Sequence, residues 1–368
     1  VSISRNSDVL IIGGGAIGCA IAWRLAQRGA RVRVIERDTP ALAASWAAAG
    51  MLSPHAEAGD DADFTELSHR SLELYPQFVE ELEASTRLRI EYSRDGKLEL
   101  ALDESSATRL RERYANSAAE LIDADLARAL VPALSPDIAA AVLIREDHRV
   151  DNRALGIALW HVAAAHGAAF ELGTAAVAIE QQGHQLRVLL ADGTAASADQ
   201  VVLAAGAWSG QIAGLPHTPP VRPVRGQMLA LRMVPPPFAP VLQSAHCYLV
   251  PRADGRVLIG ATVENAGFTI QNTVHGLRSL MNGAVQLVPM LEHAPVIETW
   301  AGLRPGTPDD LPILGPDPEM PGLIYATGHF RNGILLTPIT AELIAGLIAG
   351  APVPELQKFS IARFRGSA

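Results

Sequence analysis

Near its start the chain runs Val9-Leu10-Ile11-Ile12 straight into Gly13-Gly14-Gly15-Ala16-Ile17-Gly18. A short all-apolar run ending in glycine reads as a strand buried on both faces. A helical pattern follows from Ala16 to Arg28 and stops at Gly29, and Arg31 to Glu36 reads as a second strand. Strand, helix and strand in this order make a βαβ unit, with G-x-G-x-x-G at its first turn. Gly13 permits the tight turn, Gly15 lets a pyrophosphate approach the backbone, and Gly18 lets the helix pack on the strand. Ala16 and Ile17 open the helix, whose free N–H groups and dipole favour an anion. Glu36, 18 residues after Gly18, is placed to accept the ribose hydroxyls of an adenosine, and Arg37 follows it on the same edge. A glycine-rich turn without a ligand is the alternative, and the flanking strand, helix and acid argue against it.

Further along, a nearly all-small stretch spans Ala41 to Gly50. A helix is expected over Phe64 to Ser85, a strand pair over Glu91 to Leu102 turned at Asp95-Gly96, and two short helices before Pro132. Asp151 caps a helix running to about His166. Val177 to Leu190 reads as a hairpin, and Gln200 to Leu203 as a strand ending in Ala204-Ala205-Gly206-Ala207-Trp208. Pro216, Pro219, Pro220 and Pro223 mark a crossover. Beyond them Gly226 to Leu231, Tyr248 to Pro251 and Arg256 to Ala261 alternate like an antiparallel sheet. Thr273 to Leu291 reads as a helix with Val274, Leu277, Met281, Val285 and Val288 on one face. Leu323 to Thr327 returns to the parallel type, and a last helix starts after Gly333 and ends near Gly350.

The 368 residues suit two domains. Parallel-type strands at both ends and in the middle favour a discontinuous first domain, 1–85, 145–215 and 302–368, with a second built from 86–144 and 216–301. The fold class is α/β: a Rossmann-like nucleotide-binding domain plus an α+β domain with a mixed, largely antiparallel sheet. Composition excludes several functions. Thirty Lys+Arg against 39 Asp+Glu give a net charge of −9, which disfavours a nucleic-acid binder. Cys19 and Cys247 have no CxxC spacing, so neither a disulfide framework nor a metal site is expected. No apolar run is long enough for a membrane span, and the polar start from Val1 to Ser7 lacks a secretory pattern, so a cytoplasmic protein is expected.

The fingerprint alone does not separate NAD from FAD. Ser45 and Ala47-Ala48-Ala49-Gly50-Met51 lie beyond the second strand, where small residues let backbone approach a flat ring. Ala205, Gly206 and Trp208 offer another close-approach point, and Ala176 precedes the hairpin. Gly328-His329-Phe330-Arg331-Asn332-Gly333-Ile334 again leads into a helix, whose N–H groups suit the pyrimidine edge of a flavin.

With these segments and Ala301-Gly302-Leu303-Arg304-Pro305, the sequence resembles the D-amino acid oxidase family of flavoproteins over essentially its whole length, nearest to the glycine oxidases of thiamine biosynthesis. The resemblance implies noncovalent FAD, since relatives with covalent flavin use a cysteine beside the C-terminal motif, where neither Cys19 nor Cys247 lies. It implies an amino acid oxidase that forms a homotetramer, with the small amino acid and O2 as its partners. It assigns flavin contacts to Gly13, Gly15, Ala16, Ile17, Gly18, Glu36, Arg37, Ser45, Ala48, Gly50, Met51, Ala176, Ala205, Gly206, Trp208, Arg304, His329, Arg331, Asn332, Gly333 and Ile334.

A small amino acid offers a carboxylate, an amine and a Cα–H. Arg304 is the candidate for the carboxylate, because a planar guanidinium binds it as a fork; the alternative is an ion pair with Asp309 or Asp310. Tyr248 can add a hydrogen bond, or be an ordinary strand tyrosine, and His246, two residues away, is expected on the same face. Arg331 serves either substrate or flavin. No convincing base is present, so the expected chemistry is direct hydride transfer from Cα of the neutral amine to flavin N5. O2 or a quinone-type carrier then takes the electrons. A flavin-bound scaffold without catalysis is the remaining alternative.

Overall fold

A computed structural model describes residues 6–54, 61–115, 117 and 119–364; most of the polar stretch Val1 to Ser7 lies outside the described residues. Strand Asn6–Ile12 is central in the first sheet, parallel to Val32–Glu36 on one side and Ala195–Leu203 on the other. Ala169–Leu172 extends the sheet beside Val32–Glu36. Ala195–Leu203 divides its outer edge. Its first half takes the antiparallel hairpin Ala176–Gln182 and Gln185–Leu190, and its second half pairs in parallel with Leu323–Thr327. Side chains along the central strand alternate: Val9 and Ile11 join one core, Leu10 and Ile12 the core on the opposite face. That two-sided burial explains the unbroken apolar run.

Helices Ala16–Gln27, Ala62–Thr86, Asn152–Ala165 and Thr337–Ile348 cover the face carrying Val9 and Ile11. Asp151 caps the third of these as expected, accepting from the N–H groups of Arg153 and Ala154 at 2.9 and 3.1 Å. Such a cap contributes about 1 kcal/mol.

Among the described residues the second sheet has eight strands. From one edge it runs Val296–Gly306, Arg222–Arg232, Arg256–Gly260, Tyr248–Pro251, Val241–Gln243, Lys97–Ala101, Ala140–Ile144 and Glu120–Asp123. Only the pairing of Val241–Gln243 with Lys97–Ala101 is parallel, so the sheet is mixed and largely antiparallel. The α/β fold class is therefore as read.

Three local expectations fail. The strand pair across Asp95-Gly96 does not form. Tyr92–Ser93 joins a small sheet with His148–Val150 and Met51–Leu52, whereas Lys97–Ala101 enters the second sheet. Gly96, at φ 75°, is a turn, but every residue of Lys97–Ala101 is buried, and long-range burial decided its partners. The helix near residue 280 spans Val274–Leu287 and buries Gly276, Leu280, Gly283, Ala284 and Leu287; of the expected face, Leu277 and Met281 pack partly buried against the core, Val288 is buried just past the helix end, and Val274 misses the core. Val274 is 83% exposed. Glycines let the helix sit close: a Cβ at 276 would stand 2.5 Å from Gln227, and one at 283 would stand 2.9 Å from Cys247 Sγ. The last helix begins at Thr337, three residues later than expected, because residues 331–336 form turns first.

Candidate active site

The glycine loop is tight. Gly13, at φ 106°, donates to the carbonyl of Ile35 at 2.9 Å, and a Cβ there would stand 2.4 Å from Ala204 O. At Gly18 a Cβ would be 1.9 Å from Gly13 O, so Gly18 serves helix packing and does not face the cavity. Gly15 differs from both. Its backbone is extended (φ −70°, ψ −178°), a conformation open to any residue, and the nearest atom to an added Cβ is Ser45 Oγ at 3.4 Å. The chain itself does not require glycine there; a side chain would instead fill the cavity in front of the helix. That space at a helix N-terminus is what a pyrophosphate takes. Ser45 Oγ accepts from the N–H of Ala16 at 3.0 Å, and Glu36 accepts from the N–H groups of Gly14 and Asp38 at 2.6 and 3.0 Å. The glutamate is thereby fixed with oxygen lone pairs left for hydroxyl donors. Arg37 lies 3.3 Å from the centre of the Trp208 ring, which in turn packs on Phe268. Gly206 is held by Thr327, whose hydroxyl donates to its carbonyl.

The small-residue stretch Ala44 to Met51 is clamped from behind by residues the sequence reading did not single out. Asn152 Nδ2 donates to the carbonyls of Ser45 and Trp46 at 2.7 and 3.1 Å. The buried Arg252 donates to the Ala49 carbonyl at 2.7 Å, and Trp300 Nε1 to the Ala47 carbonyl at 3.1 Å. Gly50, at φ 71°, is forced by packing, since a Cβ would stand 1.9 Å from Val150 O. Met51 and Tyr248 each pack against a small core that contains Ala49, Met228 and Val250, and the Tyr248 hydroxyl donates to Met228 Sδ at 3.2 Å.

Arg304 and Tyr248 reach the cavity from two strands of the second sheet that are separated by two others. Arg304, on Val296–Gly306, lays its guanidinium over Gly226 of the neighbouring strand, where a Cβ would stand 2.4 Å from Nη1. Tyr248 lies over its cross-strand partner Gly260 in the same way, with a Cβ there 2.5 Å from the hydroxyl. Each side chain therefore leans inward across a glycine, toward the strip between them. Glycine inside a strand marks such close approaches, and Gly226 and Gly260 were the available signal for this geometry. Arg304 Nη1 donates to the Thr262 carbonyl at 3.1 Å. The expected alternative for Arg304 does not occur: Asp309 pairs with Arg363 at 2.7 Å, and Arg304 makes no ion pair among the described residues.

This arrangement makes a sharp prediction for Gly226→Ala. The clash falls on the flexible end of Arg304, so the fold is kept and the guanidinium moves. Thermal midpoint is expected within about 2 °C of wild type. Turnover efficiency is expected to fall about tenfold, one lost oriented contact. Enzyme assays paired with a melting curve check both; wild-type efficiency would mean that Arg304 does not need its place over Gly226.

His246 lies in the turn before Tyr248–Pro251, closed by Ser244 N–H donating to Cys247 O at 2.8 Å, and is exposed on the cavity rim. The alternation that would place it beside Tyr248 does not apply, because the strand starts only at Tyr248. In the C-terminal segment, Gly328 and Phe330 have positive φ, and Phe330 N–H donates to Pro305 O at 3.1 Å, tying the turn to the strand of Arg304. His329 is buried and bonded through Nε2 to Thr340 Oγ1 at 3.1 Å. Burial pushes it down to about 3, so it stays neutral. Arg331 is exposed and lies 4.9 Å from the Phe330 ring centre. Since the helix starts at Thr337, the turn residues themselves, including Asn332, Gly333 and Ile334, face the cavity instead of a helix N-terminus. Ser71 and Tyr75 brace that turn by donating to the carbonyls of Leu335 and Ile334.

All these elements enclose one cavity of about 740 Å³, within the range for a sizeable organic ligand. Besides the glycine loop, it is lined by Ala176, Ala48, Ala205, Arg304, Tyr248 and Arg331. Among the described residues no group of side chains is suited to a metal ion, and no helix is long and apolar enough to cross a membrane.

Comparison with known proteins agrees with this geometry. A family profile described as FAD dependent oxidoreductase (DAO) matches residues 8–347. The bifunctional protein ThiO/ThiG of Trichormus variabilis is 42% identical over 369 residues, covering 98% of this chain and 56% of that protein, so the chain spans about half the length of that relative. The crystal structure of glycine oxidase from Geobacillus kaustophilus superposes with a TM-score of 0.94 at 34% identity, covering 98% of this chain and 100% of the other. Iminodiacetate oxidase from Chelativorans sp. BNC1 follows at 0.86 and 32%, covering 96% and 98%. A glycine-loop cradle shaped for a pyrophosphate, a profile match over most of the chain and a near-complete superposition together place this α/β chain in the DAO family of FAD-dependent oxidoreductases.

Proposed function

We infer that the chain oxidises glycine and small or N-substituted amino acids of the sarcosine, D-alanine and D-proline type, with O2 as acceptor and hydrogen peroxide as product. The observation that carries this reading is the inward lean of Arg304 and Tyr248 over Gly226 and Gly260 into the cavity that the glycine loop also opens on. Bound in this cavity, FAD would supply the two-electron acceptor, reoxidisable by O2. Arg304 grips the substrate carboxylate with the guanidinium donors not engaged by Thr262, and the Tyr248 hydroxyl turns from its 3.2 Å bond to Met228 Sδ to give a second donor. Both contacts anchor the carboxylate and so hold Cα at a set place in the cavity, a positioning that hydride transfer requires. No base is needed: the amine lone pair drives loss of hydride, and the imino acid formed hydrolyses to the 2-oxo acid. His329, neutral and bonded to Thr340, does not reach for a proton.

The flavin is expected to be held noncovalently. Cys247 lines the cavity, but burial pushes its thiol up to about 12, which suppresses the thiolate needed for attachment. Denaturing the yellow protein should release all flavin into the filtrate, and flavin retained on the chain would contradict this.

A second reading, oxidation of a larger N-substituted glycine, is favoured by two further hydrogen-bonding side chains on the cavity lining, His246 and Arg331, and by the likeness to iminodiacetate oxidase. The test is a panel of glycine, sarcosine, D-alanine, D-proline and N-carboxymethylglycine with peroxide measured against substrate consumed. Stoichiometric peroxide from glycine supports the first reading. Peroxide from N-carboxymethylglycine alone supports the second, and flavin reduction without peroxide would point to a dehydrogenase with another acceptor.

A further inference from the structure

We propose that Glu264 is a positioning residue for Arg304, acting through Thr262. The proposal rests on the reading of Arg304 as the carboxylate-binding group. Beyond strand Arg256–Gly260 the chain stays paired with Arg222–Arg232, through Arg225 N–H to Glu264 O at 2.9 Å and Glu264 N–H to Arg225 O at 3.0 Å. Side chains alternate along this extension. Val263 turns toward the cavity, whereas Thr262 and Glu264 join a polar frame behind it.

That frame is densely connected. Glu264 accepts from the guanidinium of Arg225, from Gln227 Nε2 at 2.7 Å and from the Thr262 hydroxyl. The Thr262 hydroxyl also accepts from the Gln227 N–H at 2.9 Å. Fully buried Gln227 is fixed in turn by Thr273, whose N–H donates to its Oε1 at 2.7 Å. The output of the frame is the Thr262 carbonyl, to which Arg304 donates its hydrogen bond. A long guanidinium side chain tethered at one donor points its remaining fork only as well as that tether is placed. Burial alone would raise the Glu264 carboxyl, but hydrogen bonds from Thr262, Arg225 and Gln227 outweigh it and hold the acid below its ordinary value. The frame is thus ionised and neutral overall, Arg225 balancing Glu264.

The charge balance gives the test a useful sign. Removing Glu264 leaves Arg225 as an added positive charge near the site, which by Coulomb attraction alone would tighten binding of a carboxylate. Loss of positioning would weaken it. Holoenzyme variants Glu264→Ala, Glu264→Gln and Arg304→Ala, with the double variant Glu264→Ala/Arg304→Ala, are titrated with acetate through the visible flavin spectrum and assayed with glycine. For Glu264→Ala we expect acetate Kd and glycine KM to rise about tenfold, with kcat within about threefold. Glu264→Gln keeps an acceptor oxygen for Thr262 and should return KM to within about threefold of wild type. In the Arg304→Ala background the Glu264 change should add less than about twofold. Unchanged or tighter acetate binding in Glu264→Ala overturns the proposal, as does an equal penalty with and without Arg304. If Arg304→Ala itself binds acetate like wild type, the reading of Arg304 fails first and the proposal falls with it. A normal Arg304 phenotype beside a silent Glu264→Ala removes the proposal alone.

Discussion

Arg304→Ala is expected to cut kcat/KM for glycine by about a hundredfold or more while leaving FAD content at wild-type level. Its guanidinium lines the cavity, makes no ion pair among the described residues, and is held over Gly226 by one bond to the Thr262 carbonyl. A charge-assisted, bidentate contact to a desolvated carboxylate is worth about 2–3 kcal/mol, and that energy sets the size of the effect. Lysine should rescue only in part, because a point charge does not reproduce the fork. Tyr248→Phe should cost less, removing one neutral donor while keeping the ring that packs against the core containing Met228. Steady-state kinetics with glycine and sarcosine, together with the flavin-to-protein absorbance ratio, check the order. Tyr248→Phe proving worse than Arg304→Ala would reverse the assignment of the main carboxylate ligand.

Gly15→Val is expected to abolish FAD binding without unfolding the chain. Gly13 and Gly18 are each demanded by protein atoms at 2.4 and 1.9 Å from a hypothetical Cβ, so substitutions there disturb the fold itself. At Gly15 the backbone is ordinary and the nearest neighbour is 3.4 Å away, so an isopropyl group is accommodated in the space the pyrophosphate takes. The purified variant should be colourless, with native far-ultraviolet circular dichroism. A yellow Gly15→Val protein with normal FAD content would show that the phosphate cradle lies elsewhere.

Most of the first sheet was legible because its signals are local. The run Val9 to Ile12, the glycines after it and Glu36 lie within one βαβ unit, and each follows from strand burial, close approach or helix-terminal charge. The second sheet was less so. Lys97–Ala101 carries a strand pattern, but its partners in Ala140–Ile144 and Val241–Gln243 lie far along the chain, and loop-closing choices of that kind leave no trace in a short window. In helix Val274–Leu287 two glycines share the buried face with Leu280, Ala284 and Leu287, because closeness to Gln227 and Cys247 mattered more at those two positions than apolar bulk. The residues shaping the candidate site show the same division. Arg304 and Tyr248 stood out by chemical type, whereas Gly226 and Gly260, which let them converge, lack any side chain to notice. Asn152, Arg252 and Trp300 hold the stretch Ala44 to Met51 only because three distant segments meet behind it.

The central claim is that amino acid bound by Arg304 delivers electrons directly to the flavin. Anaerobic mixing of the holoprotein with glycine or sarcosine, followed at the long-wavelength flavin band in a stopped-flow instrument, tests it without dependence on the final acceptor. The account predicts full bleaching in wild type, and in Arg304→Ala a bleaching rate at low substrate reduced about a hundredfold. Flavin that stays oxidised with every amino acid of the panel, or that bleaches equally fast in both proteins, would contradict it.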